Sequence, residues 1–217
     1  MKNMIFFVSA LLITRIAVSN DTLYYSVLKN SIETANMEYS LENFRQLANT
    51  GERIMLLYKT EWLPRYYVAY ALINMSFIEQ NEGSKELYCD KAQQLLDEAL
   101  KIRSVEPELY VLQALLYFGR MGIRPMINGP LYFPKATSAL NEAEKLDPCN
   151  PRIYYLRGKS ALNTPKFLGG GKDTAAPMFE KAISLFNEYK IKSSIHPDWG
   201  RNDTERLWKL CMADTTY

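Results

Sequence analysis

The sequence predicts an all-α fold of about eight or nine helices, stacked as helical hairpins into a right-handed α-α superhelix. The first observation is a short pattern that occurs three times: a proline, a tyrosine three positions later, and a small residue four positions after that. Its copies are Pro64/Tyr67/Ala71, Pro107/Tyr110/Ala114 and Pro151/Tyr154/Gly158. The tyrosines are 43 and 44 residues apart, a period that fits one pair of helices.

The second observation is an amphipathic segment after each copy of the pattern. Each segment carries a small residue, a large apolar residue four positions later and an alanine three positions beyond that. The triplets are Ala92/Leu96/Ala99, Ala136/Leu140/Ala143 and Ala175/Phe179/Ala182. Residues at this spacing share one face of a helix. The last alanine precedes the next tyrosine by 11 residues in both places where the two can be compared. An inner and an outer helix are therefore predicted in every unit.

Helix boundaries follow from local signals. Residues 21–35 and 40–58 predict two N-terminal helices, the second weakened in its middle by Gly51. The inner helices are expected to begin at the three prolines, because the missing N–H of a first helical residue would have no partner. Stretches rich in glycine and proline predict long connectors within hairpins at 121–131 and 163–173.

These boundaries divide the chain into four parts. Residues 1–19 are expected to be a cleaved signal peptide, and residues 20–61 a pair of capping helices formed by a degenerate repeat. Residues 62–190 contain the three repeats with their long connectors, and residues 191–217 a C-terminal capping helix.

The three units resemble the tetratricopeptide repeat (TPR) family. An aromatic and a small residue on the first helix, the triplet on the second and a proline at the junction carry the resemblance, which covers residues 62–189. The family's usual repeat is 34 residues long, so the extra length is assigned to the connectors. The C-terminal part also resembles exported TPR-like proteins of Gram-negative bacteria. The resemblance implies a solenoid with a concave binding surface and leaves the function open.

The N-terminal residues predict export. Lys2 precedes an apolar run at 4–14, and Ala17-Val18-Ser19 supplies the small residues of a cleavage site, so a periplasmic or secreted protein is expected. A retained anchor at the membrane interface is the alternative. Removal of Lys2 and Arg15 with the signal would leave equal numbers of basic and acidic residues. No nucleic-acid partner is therefore expected.

Cysteine and histidine are too few and too scattered to predict a metal site or a cofactor. Cys89, Cys149 and Cys211 lie far apart, and His196 is the single histidine. The cysteines are predicted to be unpaired packing residues, with a Cys149–Cys211 bridge left open.

Two further motifs could carry chemistry. The run Gly169-Gly170-Gly171-Lys172 lacks the pattern of a phosphate-binding P-loop, because Lys166 and Asp173 occupy the places of its glycine and its serine or threonine. A turn is predicted there, with anion binding at the helix N-terminus as the minor alternative. His196 is expected to have a capping or surface role. No enzyme is predicted, because no constellation of residues in the sequence supports catalysis. The acidic pairs lie on solvated helix faces: Asp97-Glu98 and Glu142/Glu144.

The candidate binding residues are those on the face of each inner helix beside the landmark tyrosine. They are Arg65, Val68, Leu72, Met75, Glu108, Val111, Leu115, Phe118, Arg152, Tyr155, Lys159 and Leu162. The first hypothesis is a scaffold that binds a protein or peptide partner in this groove without catalysis. The alternative is a carrier of a small apolar ligand in a pocket closed by the connectors. The groove is either free for a partner or filled by the chain's own terminal helix.

Overall fold

The computed structural model describes residues 24–213, and the prediction of an all-α superhelix is confirmed for them. The helices are α1 (24–37), α2 (Leu41–Leu57), α3 (Trp62–Ile78), α4 (Glu82–Ile102), α5 (Pro107–Ile123), α6 (Pro125–Leu146), α7 (Pro151–Asn163), α8 (Lys172–Glu188) and α9 (Arg201–Met212). None of these helices is both long and apolar enough to span a bilayer. The predicted signal segment 1–19 lies outside the described residues.

Three antiparallel hairpins form the body of the molecule: α3 with α4, α5 with α6, and α7 with α8. Each outer helix also contacts the next inner helix, α4 against α5 and α6 against α7, while α3, α5 and α7 stack side by side. The nine triplet residues are all at most 2% exposed. They form the seam on which inner and outer helices meet, because a small residue lets a neighbouring backbone approach closely.

Gly51 has a different role from the one that its helix propensity suggests. Helix α2 runs through it without a break. A Cβ atom at this position would lie 2.5 Å from Val68 Cγ2 and 3.3 Å from the carbonyl oxygen of Pro64. The glycine is therefore required by the close approach of α3, and α2 is continuous through it.

The predicted long connector at 121–131 is wrong. Helix α5 continues to Ile123 and α6 begins at Pro125, so a single residue, Arg124, separates them. Pro130 and Pro134 lie inside α6 on its exposed side. The carbonyl groups that these prolines leave without a helical partner face water, which lowers the cost of keeping proline inside a helix.

The second connector does contain a loop, residues 164–171, with a short 3-10 turn at Lys166–Leu168. Gly169 and Gly171 have φ angles of 85° and 100°, which favour glycine. All three glycine N–H groups donate to carbonyl oxygens within the loop or at the end of α7. The glycine run is a defined turn, and these N–H groups are not free for an anion.

Candidate functional site

The chain itself covers part of the inner helices α3 and α7. Residues 195–199, between α8 and α9, form a segment that we call the strap, and all of them except Asp198 are buried. Trp199 is 8% exposed. Its Nε1 donates to the Tyr66 hydroxyl at 2.7 Å, and its ring packs against Tyr70 and Tyr155 with centroids 5.4 and 6.1 Å apart. The strap therefore covers α3 and α7, whereas α9 packs against α8.

A fully buried ion pair lies beside the strap. Arg152 Nη2 is 2.6 Å from Glu108 Oε1, and Arg152 Nε is 2.9 Å from Glu108 Oε2. The Asn150 amide donates to the same carboxylate at 2.6 Å. The guanidinium also lies 4.6 Å from the centre of the Tyr189 ring and 5.9 Å from that of Trp199. Burial acts to lower the pKa of Arg152, but the neighbouring Glu108 outweighs burial and raises that pKa, so Arg152 stays charged.

His196 is buried in the strap, which contradicts its predicted surface or capping role. Its Nδ1 is 3.3 Å from the Tyr189 hydroxyl, and its ring meets Trp62 edge to face with centroids 6.3 Å apart. Burial lowers the pKa of His196 to about 4. The ring is neutral near pH 7, and its Nε2 has no hydrogen-bond partner among residues 24–213.

The predicted groove residues do not form an accessible surface in this structure. Eight are buried: Val68, Leu72, Met75, Glu108, Val111, Leu115, Arg152 and Tyr155. Four are half-buried: Arg65, Phe118, Lys159 and Leu162. On α3, Val68 faces Gly51 of α2, and it is Tyr66 and Tyr70 that meet the strap. On α7, the Tyr155 hydroxyl donates to Asp203 of α9 at 2.7 Å, so the start of α9 occupies this face.

An open cleft of about 790 Å³ lies between α2, α3 and α4. We call it the α2–α4 cleft. Leu56, which is 74% exposed, the half-buried Met55 and the buried Leu95 give it an apolar wall. The complete lining is Asn49, Glu52, Arg53, Met55, Leu56, Lys59, Arg65, Lys91 and Leu95.

Four of the lining residues are cations, and they differ in how far they are already paired. Arg65 Nε lies 3.1 Å from Glu98 Oε2, and Lys91 Nζ lies 2.5 Å from Glu52 Oε1. Arg53 and Lys59 have no ion-pair partner within the described part of the chain. An apolar wall beside uncompensated positive charge suits a ligand with an apolar body and acidic groups.

Sequence reasoning found only Arg65 of this lining. The signal that could have revealed the cleft is the pair Leu56-Leu57 near the end of α2. Both leucines are more than 70% exposed, and they lie close to Arg53 and Lys59. A leucine pair beside two cations is unusual on the exposed face of a helix, where polar residues are expected.

The cysteines and the candidate metal ligands bear on the predictions made for them. All three cysteines are free; Cys89 and Cys211 are buried and Cys149 is exposed. A packing role is therefore wrong for Cys149. Between residues 24 and 213 no group of three or more His, Cys, Asp or Glu side chains could hold a metal ion.

Comparisons with known proteins identify structural relatives. No protein-family model matches the chain. No curated protein matches it either. The HusA haemophore from Porphyromonas gingivalis is similar, with a TM-score of 0.79, 27% identity and coverage of 89% of this chain and 95% of that one. A thermophilic TPR protein from Thermus thermophilus aligns with a TM-score of 0.55 and 16% identity over 92% of this chain and 96% of its own. The second likeness shows the TPR-like fold alone.

Proposed function

We propose that this protein is a non-catalytic carrier that binds a flat amphiphilic anion of the porphyrin class in the α2–α4 cleft. The observation that carries the proposal is the combination of an open cleft of about 790 Å³, an apolar wall and two cations without ion-pair partners among the described residues. Small-molecule sites commonly have volumes of roughly 300–1,000 Å³ and a few charged groups on an apolar lining. A porphyrin presents the complementary features, two apolar faces and carboxylates on one edge.

The likeness to a haemophore supports this ligand class. It extends over nearly the full length of both chains. The sequence identity of 27% and the TM-score of 0.79 are both higher than the 16% and 0.55 of the TPR-like neighbour. The cleft lining has one thioether, Met55, and contains no histidine, cysteine or tyrosine. Apolar contact and charge therefore supply most of the recognition in this proposal. Export by the signal predicted at residues 1–19 suits a carrier and belongs to the same proposal.

The site differs from both binding sites that the sequence suggested. The carrier hypothesis placed its pocket under the connectors at 121–131 and 163–173, but the first of these is largely helical. Solenoids of this type present concave surfaces to protein partners. Here the strap covers that surface, so a peptide could bind in the groove only after Trp199 leaves it.

Leu56→Asp tests the proposed site, with Leu57→Asp as its matched control. The two leucines are adjacent and 74% and 79% exposed, but only Leu56 lines the cleft. We expect Leu56→Asp to weaken porphyrin binding by about tenfold or more, because it removes an apolar contact and adds a negative charge. Leu57→Asp should bind as the parent does. Titration of protoporphyrin and haem by absorbance measures both, and circular dichroism verifies the fold.

Two outcomes would count against the proposal. If the parent protein bound neither protoporphyrin nor haem, the proposed function would be wrong. Equal binding by the parent and both variants would show that the ligand binds outside the α2–α4 cleft.

A further inference from the structure

We infer, on the basis of the proposed function, that the α2–α4 cleft selects ligands with two carboxylates and that Glu52 competes with the ligand for Lys91. This selectivity narrows the proposed ligand class to its diacids. It follows from how the four lining cations are paired.

Arg65 is fixed by the protein itself. Its side chain is mostly buried, its Nε pairs with Glu98 and its Nη1 donates to the Glu61 carbonyl oxygen at 2.9 Å. A ligand would have to break both contacts to engage it fully. Arg65 therefore acts as part of the wall.

Arg53 and Lys59 are the two cations ready to receive a ligand. Both are exposed, both line the cleft, and neither has an ion-pair partner among residues 24–213. Two available cations beside one apolar wall match two carboxylates on one ligand. A ligand with a single carboxylate, or with none, would leave one or both of these charges uncompensated.

Lys91 is a third cation that is partly withheld. Glu52 lies in the same cleft, 2.5 Å from the Lys91 ammonium, and both side chains are about half exposed. Exposed ion pairs of this kind contribute little free energy of stabilisation. A ligand carboxylate can therefore replace Glu52 at Lys91. The displaced Glu52 carboxylate still faces an anionic ligand, and this opposes binding.

The first experiment compares metal-free protoporphyrin with its dimethyl ester, which keeps the ring and loses both charges. We expect the ester to bind the parent about tenfold or more weakly. Arg53→Gln and Lys59→Gln should each weaken binding of the diacid by about two- to fivefold and leave the ester unaffected. Arg45→Gln on α2 and Lys101→Gln on α4 are matched controls outside the cleft, and they should bind both ligands as the parent does.

The second experiment tests the competition by Glu52. Glu52→Gln should strengthen binding of the diacid by about two- to fivefold, with no change for the ester. Part of this gain should disappear when Lys91→Gln is already present, because the released ammonium is then missing. Glu42→Gln, the same change elsewhere on α2, should have no effect.

The results separate this inference from the proposed function. Equal binding of diacid and ester, with both weakened by Leu56→Asp, would overturn the carboxylate selection and leave the site intact. If Glu52→Gln strengthened diacid binding equally with Lys91 and with Lys91→Gln, Glu52 would act only by repelling the ligand. That result would overturn the competition for Lys91. If Leu56→Asp did not weaken the binding of either ligand, the α2–α4 cleft would not be the binding site.

Discussion

At the scale of single residues, Glu108 and Arg152 show what sequence reasoning reached and what it missed. Both were placed on one face of neighbouring inner helices, as ligand contacts, whereas in the structure they bind each other. They occupy equivalent positions in consecutive units, 44 residues apart. Opposite charges at one position of adjacent repeats were therefore a usable signal. Their burial could not be predicted, because it depends on a strap that follows no repeat pattern.

His196 gives the protein a specific dependence of stability on pH. Its pKa is about 4 in the folded chain, because of burial, against an ordinary value of 6.5. Below pH 6.5 His196 binds a proton in the unfolded chain, whereas in the folded chain it binds one only below about pH 4. The free energy of unfolding should fall across this window as pH decreases, by about 3 kcal/mol from this group.

The substitution His196→Gln should remove that component. The variant keeps a neutral polar side chain, so the difference in stability between it and the parent should narrow or reverse as pH falls from about 7 to about 4.5. Denaturant unfolding at several pH values measures this difference. Parallel pH profiles would mean that His196 does not titrate in this way.

At the scale of helices, the outer triplets were predictable and the first connector was not. Three small–large–small triplets define buried seams through packing geometry alone, and the structure buries all of them. The glycine and proline content of residues 121–131, including Pro130, predicts a connector, because proline interrupts the hydrogen bonds of a helix. On the exposed side of α6 that interruption is tolerated, and exposure could not be known before the packing of α5 and α6 was seen.

Gly51 tests whether helix packing or helix propensity decides the stability of α2. Alanine has the higher helix propensity by about 1 kcal/mol. However, its Cβ would lie 2.5 Å from Val68, a fully buried and conformationally stiff side chain. We expect Gly51→Ala to lower the free energy of unfolding by about 1–2 kcal/mol, because overpacking outweighs propensity.

The control is Gly122→Ala in the last turn of α5. No atom lies within 4 Å of the Cβ that this change would add. It should leave stability unchanged or raise it by up to about 1 kcal/mol. Equal effects of the two substitutions in urea unfolding would show that the approach of Val68 to Gly51 does not limit α2.

At the scale of the whole molecule, the strap distinguishes this protein from an open repeat array, because it contacts helices that are far apart in the sequence. An open repeat array is stabilised by contacts between neighbours, so its ends can unfold separately. Here Trp199 contacts Tyr66, 133 residues earlier in the chain, and Tyr155 on the third inner helix. This long-range closure should couple the first hairpin to the last. Periodicity could not predict it, because the strap lies outside the repeat.

Trp199→Ala should therefore reduce cooperativity as well as stability. Removing a buried tryptophan costs about 3–5 kcal/mol, and here it also removes the contacts of Trp199 with both α3 and α7. Hydrogen exchange should show α7–α9 opening at lower denaturant than α2–α4, whereas in the parent they open together. Trp199→Phe keeps an aromatic ring but loses the bond to Tyr66 and part of the buried ring surface, and it should retain one transition at a moderately lower midpoint. A single transition in Trp199→Ala would mean that contacts between neighbouring hairpins suffice for cooperativity and that the strap contributes only local burial.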